Sequence, residues 1–225
     1  MTRTPDLIDT LVECATPVRR LRPPLVRAML WLAFAGLVLA LLAMGHGLRP
    51  DLTLRLHQAI FAITIAAALA TGILSAIAAF AISLPDRSWW WLTLPAPALA
   101  VWISTVGYGC LTDWVSLGPD GVGLGAELGC FAMLVMTSVP LAIALAVMLR
   151  YAATLRAGAV AATGGLATAA ITACALSLLH DHDATAIILV WNLGTALVIT
   201  GITSLFGRRI FGLLAARLLP SGTHL

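Results

Sequence analysis

The chain has 225 residues, of which 60% are hydrophobic and 10% are charged, and its mean hydropathy is +1.00. Soluble domains carry about 25% charged residues, so this composition excludes a soluble globular protein and indicates a membrane protein. A soluble domain needs at least about 50 residues, and no polar stretch of that length interrupts the apolar segments.

Residues 1–24 precede the first apolar segment, and we predict a short helix over about residues 5–16. Thr4 is a suitable N-cap, Pro5 suits the first turn, and Pro17 ends the helix. At 100° per residue this helix is amphipathic, with an apolar face opposite a mostly acidic one. The apolar face carries Leu7, Ile8, Leu11, Val12 and Ala15, and the opposite face carries Asp6, Asp9, Thr10 and Glu13.

So short a helix is marginal in water, and its apolar face therefore needs a cover. Lipid is a poor cover, because membrane-surface helices usually have a basic polar face, whereas an acidic face is repelled by anionic lipid. A groove on a partner protein with a basic rim fits the charges better. The alternative is that the helix folds back onto its own membrane domain. On the first interpretation the partner-binding residues are Asp6, Leu7, Ile8, Asp9, Leu11, Val12 and Glu13.

A connector rich in proline and arginine, residues 17–24, joins this helix to the first apolar segment. Residues that precede proline avoid the helical conformation, so we predict a stiff, extended connector. Its arginines, Arg19, Arg20 and Arg22, are placed to contact lipid phosphates and to hold the helix at a fixed height above the membrane.

Six continuous apolar segments make up most of residues 25–207, and each is long enough to cross about 30 Å of hydrocarbon. They are continuous rather than alternating, which excludes a β-barrel. We therefore predict an all-α, polytopic membrane protein with six transmembrane helices. Arg27, at the edge of the first segment, is the only charged residue in them. The segments are Leu25–Met44, Ala59–Leu84, Trp89–Leu111, Leu128–Leu149, Ala157–Leu179 and Ala184–Phe206.

The arginines predict the orientation, because short cytoplasmic loops carry an excess of basic residues. With a cytoplasmic N-terminus, 11 arginines lie on the cytoplasmic side and 2, Arg49 and Arg55, lie outside. Both termini are then cytoplasmic, and residues 208–225 form a short basic cytoplasmic tail. The cytoplasmic set is Arg3, Arg19, Arg20, Arg22, Arg27, Arg87, Arg150, Arg156, Arg208, Arg209 and Arg217.

The predicted outer side holds the candidate sensing residues. His180, Asp181 and His182 occupy the loop between the fifth and sixth segments, and imidazole with carboxylate suits a transition metal. A plain solvated turn is the alternative for this short motif. Cys130 and Cys174 lie near the outer ends of their segments, where an oxidising compartment permits disulfides without specifying a pairing.

Other functions fit the chain less well. Transporters usually keep ionisable residues at mid-membrane, whereas the polar residues there are hydroxyls such as Thr64, Thr71 and Thr168, with Asn192 in the sixth segment. No HExxH or GxSxG motif is present, so we do not expect an enzyme. A membrane scaffold subunit would use the N-terminal helix similarly and differ in its partner. We expect no required cofactor, no small-molecule substrate and no direct nucleic-acid contact.

Two stretches of the chain are distinctive as a pair. The first is LIDTLVECATPVRRLRPPLVRAMLWL (Leu7–Leu32), and the second, LHDHDATAIILVWNLGTALVITGITSLFGRRIFGLL, begins at Leu179. The first resembles the N-terminal signature of the NrsF family, and the second resembles the last helix of that family. The six-segment layout and the length agree as well, so the resemblance covers essentially the whole chain.

The resemblance implies an integral-membrane anti-sigma factor that holds an extracytoplasmic-function (ECF) sigma factor at a bacterial inner membrane. Its N-terminal segment would bind the sigma factor and release it under envelope, metal or redox stress. Cys130, in the sequence ELGC, matches an outer cysteine of the family, but Asp181 stands where members place a cysteine after the loop histidine. The remaining hypothesis is metal or proton binding by Cys130, His180, Asp181 and His182, with Cys174 as a candidate replacement for the missing cysteine.

Overall fold

The computed structural model describes residues 22–117, 124–149 and 156–179, and every regular element in these ranges is helical. An all-α fold is therefore confirmed for this part of the chain. The elements are α1 (Pro24–His46), α2 (Leu52–Leu56), α3 (Ala59–Ile82), a 3-10 helix (Trp89–Thr93), α4 (Ala96–Leu117), α5 (Leu124–Leu149) and α6 (Ala157–Leu179).

Four of the described helices are long and apolar enough to cross a membrane, namely α1, α3, α6 and the Ala132–Leu149 part of α5. The described helices thus have the architecture of a multi-pass membrane protein. The predicted N-terminal helix over residues 5–16, the sixth segment Ala184–Phe206 and the tail 208–225 lie outside the described residues.

The predicted third segment, Trp89–Leu111, is not one continuous helix. A 3-10 helix ends at Thr93, and α4 starts at Ala96. Pro95 and Pro97 have no N–H, so neither can donate the hydrogen bond that would carry an α-helix through this point. Pro97 is tolerated in the first turn of α4, where the N–H groups need no helical partner. The α-helix therefore starts at Ala96, later than the predicted Trp89.

The long helices alternate in direction. The start of α1, the ends of α3 and α5 and the start of α6 contribute to one buried cluster, through Ala28, Phe80, Leu149 and Val160 respectively. At the opposite end, Leu42 of α1 and Leu179 of α6 pack against one cluster, which Met133 and Leu134 of α5 form with Leu176. We call the end at which α1 begins the entry end, and the end at which it finishes the far end.

The most extensive contact between described helices is that of α3 with α6. Small residues allow it, because a Cβ added at Gly72 would lie 2.8 Å from Cδ1 of Ile171 and 2.9 Å from its Cγ1. Small residues at helix contacts let backbones approach in membranes, where packing rather than water exclusion holds helices together. The sequence of α6 accordingly has Gly164 facing Leu145 of α5.

Most hydroxyl groups of the bundle core are satisfied within their own helices. Thr71 donates to the carbonyl of Ala67 at 2.7 Å, and Thr168 donates to that of Gly164 at 3.1 Å. Such bonds to the preceding turn are the usual fate of a hydroxyl in an apolar helix. These threonines thus behave as structural residues.

Candidate functional site

The first turn of α1 carries a buried cation. Arg27 is 6% exposed, and its Nη2 donates a hydrogen bond to the carbonyl oxygen of Met148 in the last turn of α5. Its guanidinium also lies over the ring of Phe80, 5.1 Å from the centroid. The last carbonyls of a helix lack helical donors and form the negative end of its dipole, so they stabilise a cation there. Phe80 adds the attraction between a cation and an aromatic face.

Arg27 is not fully satisfied by these contacts. Its Nη1 is buried and has no hydrogen-bond partner within the described structure. A buried charged group with few partners depends strongly on each of them, because water cannot replace a lost contact. The position of Arg27 is therefore tied to the end of α5.

Trp31, one turn further along α1, makes a second contact of the same kind. Its side chain is fully buried, and its indole Nε1 donates to the carbonyl oxygen of Leu141 at 3.1 Å. A buried indole N–H normally finds a partner, and here the partner is the backbone of α5. Arg27 and Trp31 together fasten the first two turns of α1 to α5.

A second arginine, Arg156, organises the loops at the entry end. Nη1 of Arg156 donates to the carbonyl of Arg87 at 2.7 Å, and Nη2 donates to that of Pro85 at 3.4 Å. The guanidinium lies 4.9 Å from the ring centroid of Trp89. Trp89 and Trp90 are 58% and 80% exposed, as expected for aromatic residues at a membrane interface. Arg156 therefore holds the α3–α4 turn against the start of α6.

Charged residues of both signs meet at the far end. Nε of Arg49 lies 2.5 Å from Oδ1 of Asp51, and Nε of Arg55 lies 3.3 Å from Oδ2 of the same carboxylate. The hydrogen bond from Arg49 is the main cause that lowers the pKa of Asp51 below its ordinary value, with Arg55 adding to it. The carboxylate thus stays ionised between two cations.

The same loop is attached to the end of α6. The backbone N–H of Arg49 donates to the carbonyl oxygen of Leu178 at 3.2 Å. Leu178 precedes His180 by two residues, so this hydrogen bond is adjacent in sequence to the predicted sensing loop. His180, Asp181 and His182 themselves lie outside the described residues. Among the residues that are described, no group of three metal-ligating side chains occurs.

Cys174 is buried in the contact between α3 and α6. Its side chain is 3% exposed, its thiol lies 3.8 Å from the carbonyl oxygen of Ile65, and it is a free cysteine. It packs with Ala67, Ala170 and Trp102. Cys174 is thus a packing residue in this arrangement of the helices, and reagents would reach it only if α3 and α6 separated.

The remaining predicted site residues are outside the description or only partly within it. Cys130 belongs to α5, and Arg22 precedes α1 and is exposed. The other residues predicted to bind a partner or lipid lie outside the described residues: Asp6, Leu7, Ile8, Asp9, Leu11, Val12, Glu13, Arg19 and Arg20. Their predicted roles stay predictions.

Sequence reasoning missed the contacts of Arg27 and Trp31. Arg27 was placed at the edge of a segment and assigned only to the basic cytoplasmic side, and Trp31 received no role. An arginine inside an apolar segment was the available signal, because intramembrane charges are costly and usually have a specific partner. Its partner is a backbone carbonyl 121 residues away in the sequence, which no side-chain motif reveals.

The described helices and their contacts define a multi-pass helical membrane protein in which α1, the first described helix, is fastened to α5. A family model described as "negative regulator of sigma F" matches residues 11–212. The chain therefore belongs to the NrsF family, as its resemblance suggested. No curated protein and no solved structure matches it.

Proposed function

We propose that this protein is a membrane-bound anti-sigma factor that sequesters an ECF sigma factor through its N-terminal segment. The observation that carries the proposal is the family match, which begins at residue 11 and so includes part of the predicted N-terminal helix. Negative regulation of a sigma factor requires a surface that binds it. The acidic and apolar faces of that helix supply one suited to a basic-rimmed groove.

The same proposal places both termini in the cytoplasm of a bacterial cell, with the bundle in the inner membrane. The described arginines support this orientation, because four lie at the entry end and two at the far end. Those at the entry end are Arg22, Arg27, Arg87 and Arg156, and those at the far end are Arg49 and Arg55. Basic residues are retained on the cytoplasmic side of bacterial membrane proteins. Arg19 and Arg20 would then contact lipid phosphates beside Arg22.

We further propose that the far end receives an envelope, metal or redox stress. His180, Asp181 and His182 would bind a transition metal or protons with Cys130, and Cys174 would respond only after α3 and α6 separate. The hydrogen bond from Arg49 to Leu178 supports this role, because it fastens the end of α6, directly before this loop, to the segment after α1. A conformational change at the far end would be transmitted to the entry end and would release the sigma factor there.

Co-purification tests the proposal. The full chain is purified in detergent from its host beside a form that lacks residues 1–16, and the bound proteins are identified by mass spectrometry. We expect a single sigma factor to accompany only the full chain. Recovery of a different partner through the same segment would instead favour a membrane scaffold subunit.

Charge variants sharpen this experiment. D6N/D9N/E13Q neutralises the acidic face of the predicted N-terminal helix, and we expect it to lose most of the bound sigma factor. D113N/D120N/E127Q removes the same number of charges on the predicted outer side and is the matched control. Equal retention by both variants would contradict binding through the acidic face.

A further inference from the structure

The two side chains that fasten α1 to α5 donate their hydrogen bonds to the same half of α5. Trp31 bonds the carbonyl of Leu141 and Arg27 bonds that of Met148, so both acceptors lie on the entry side of Pro140. Seven residues separate the acceptors, which is two turns or about 10.5 Å of helix. Two bonds so far apart fix the tilt of α1 against α5 as well as its position.

Pro140 is the weak point of α5. Proline cannot donate a hydrogen bond to the carbonyl four residues earlier, here that of Met136, and helices bend most readily where such a bond is missing. The carbonyls of α5 that accept hydrogen bonds from α1 therefore begin one residue after the point at which α5 bends most easily, whereas before Pro140 the contact of α1 is apolar, through Leu42. The part before Pro140 contains Cys130 and belongs to the far end.

Because Arg27 is buried, sliding of α5 along α1 would be costly. If the end of α5 moved and α1 stayed behind, the guanidinium would lose its only described backbone acceptor while remaining buried. An uncompensated buried charge costs far more than a lost surface bond. The low-energy response is for α1 to follow α5.

Movement of α1 passes directly to the N-terminal segment. The backbone N–H of Arg27 donates to the carbonyl of Pro23 at 3.2 Å, which is the first hydrogen bond of the helix. Pro23 and Pro24 leave the chain little freedom at this junction. A change in the tilt of α1 therefore changes where the preceding segment leaves the membrane domain.

We infer that Arg27 and Trp31 are positioning residues that lock α1 to the entry-side half of α5 and so fix where the N-terminal segment leaves the bundle. The consequence for sigma-factor binding rests on the proposed function. The effect of Arg27 and Trp31 on the positions of the helices does not rest on it. Helix distances and sigma-factor binding are therefore measured separately.

Distance measurement tests the lock. Spin-labelled unnatural amino acids replace Val26, in the first turn of α1, and Val147, in the last turn of α5. Both residues are exposed, and the native cysteines stay in place. In lipid nanodiscs we expect one narrow distance distribution for the otherwise unmodified chain and a broad one for R27Q/W31F. The single substitutions R27K and R27Q are then compared. R27K keeps the charge and a hydrogen-bond donor, so we expect its distance distribution to be narrower than that of R27Q.

Two controls separate the lock from general damage. W102F removes a buried indole from the cluster between α4 and α6, and G165A adds a methyl group to α6 at a point where nothing lies within 4 Å. Neither touches the contact of α1 with α5, so both should keep the narrow distribution. Broadening of equal size in either control, or no broadening in R27Q/W31F, would overturn the inference.

Sigma-factor retention on the same samples tests the consequence. We expect R27Q/W31F to retain less of the co-purifying sigma factor by about fivefold or more, the low end of couplings between distant sites. Unchanged retention despite a broadened distance would show that the lock is structural only and would overturn its role in binding. If even the unmodified chain retains no sigma factor, the proposed function fails, while the distances still decide whether the lock exists.

Discussion

The indole of Trp31 and the carbonyl of Leu141 are joined by a 3.1 Å hydrogen bond between two fully buried residues from different helices. The acceptor follows Pro140, and the donor lies one turn after Arg27, which bonds the end of the same helix. The entry to the membrane domain is thus organised by bonds from the side chains of one helix to the backbone of another.

W31F isolates the contribution of this bond, because phenylalanine keeps most of the ring and loses the N–H. We expect a loss of about 1–3 kcal/mol, since the change removes a buried donor and part of the packed volume. Thermal unfolding in detergent measures it. W102F changes the same atoms at a 7% exposed residue for which no backbone acceptor is described, so its loss should be smaller. A smaller loss for W31F than for W102F would contradict a structural role for the bond.

The helices themselves were predictable from hydropathy, because a membrane helix needs a long apolar run. The bounds of Ala157–Leu179 agree with the prediction at both ends. The break before α4 was missed because the tryptophans and Pro95 carry no charge, so the uncharged segment continues through them. The rule that proline cannot continue a helix would have found it.

Which helix faces pack together was not predictable in the same way. In water, the apolar face of a helix marks its buried side. In a membrane helix the buried and lipid-facing sides are both apolar, so Trp31, fully buried, and Met29, 64% exposed, look alike in the sequence. The partners of Arg27 and Trp31 are backbone carbonyls, which every residue has. The α1–α5 site therefore required the structure.

Gly72 is predicted to be necessary for the contact between α3 and α6. G72A would place a methyl group within 3 Å of two atoms of Ile171. The stiff χ1 angle of a β-branched residue limits how far Ile171 can move aside. We expect a loss of about 1–3 kcal/mol, as for other overpacked sites. G165A is the matched control, because a Cβ there meets nothing within 4 Å. The two unfolding temperatures in detergent should therefore differ, and equal values would refute close packing at Gly72.

The ion cluster at the far end predicts a pH-dependent stability. The pKa of Asp51 is lowered from its ordinary value of 3.8, first by the hydrogen bond from Arg49. A carboxyl with a lowered folded pKa stabilises the fold above its unfolded pKa, and this contribution is lost as the pH falls through the folded pKa. D51N should thus lower the unfolding temperature near neutral pH, with a difference that shrinks below pH 3.8. Asp86, exposed at the entry end, provides the control D86N; a D51N effect independent of pH would contradict the ionic explanation.

Arg156 is predicted to keep the α3–α4 turn ordered. Its guanidinium bonds two carbonyls, those of Pro85 and Arg87, while stacking on Trp89. Lysine keeps the charge but cannot make this planar, two-pronged contact. R156K should therefore speed hydrogen exchange of the amides in residues 84–94, with a local loss of about 1 kcal/mol. R87K leaves the bonded carbonyl in place and should exchange as the native chain does. Equal exchange in R156K and the native chain would show that the turn is ordered without Arg156.

Burial of Cys174 predicts that its thiol is unreactive while the helices stay packed. The side chain is 3% exposed and lies against the backbone of α3. In a chain whose other cysteines, Cys14, Cys110 and Cys130, are replaced by alanine, a membrane-permeant maleimide should label Cys174 only after denaturation. A cysteine introduced by W90C, at an 80% exposed position, serves as the accessible control. Labelling of both thiols at similar rates would mean that α3 and α6 separate readily, and it would make Cys174 a far stronger candidate for sensing than its buried position indicates.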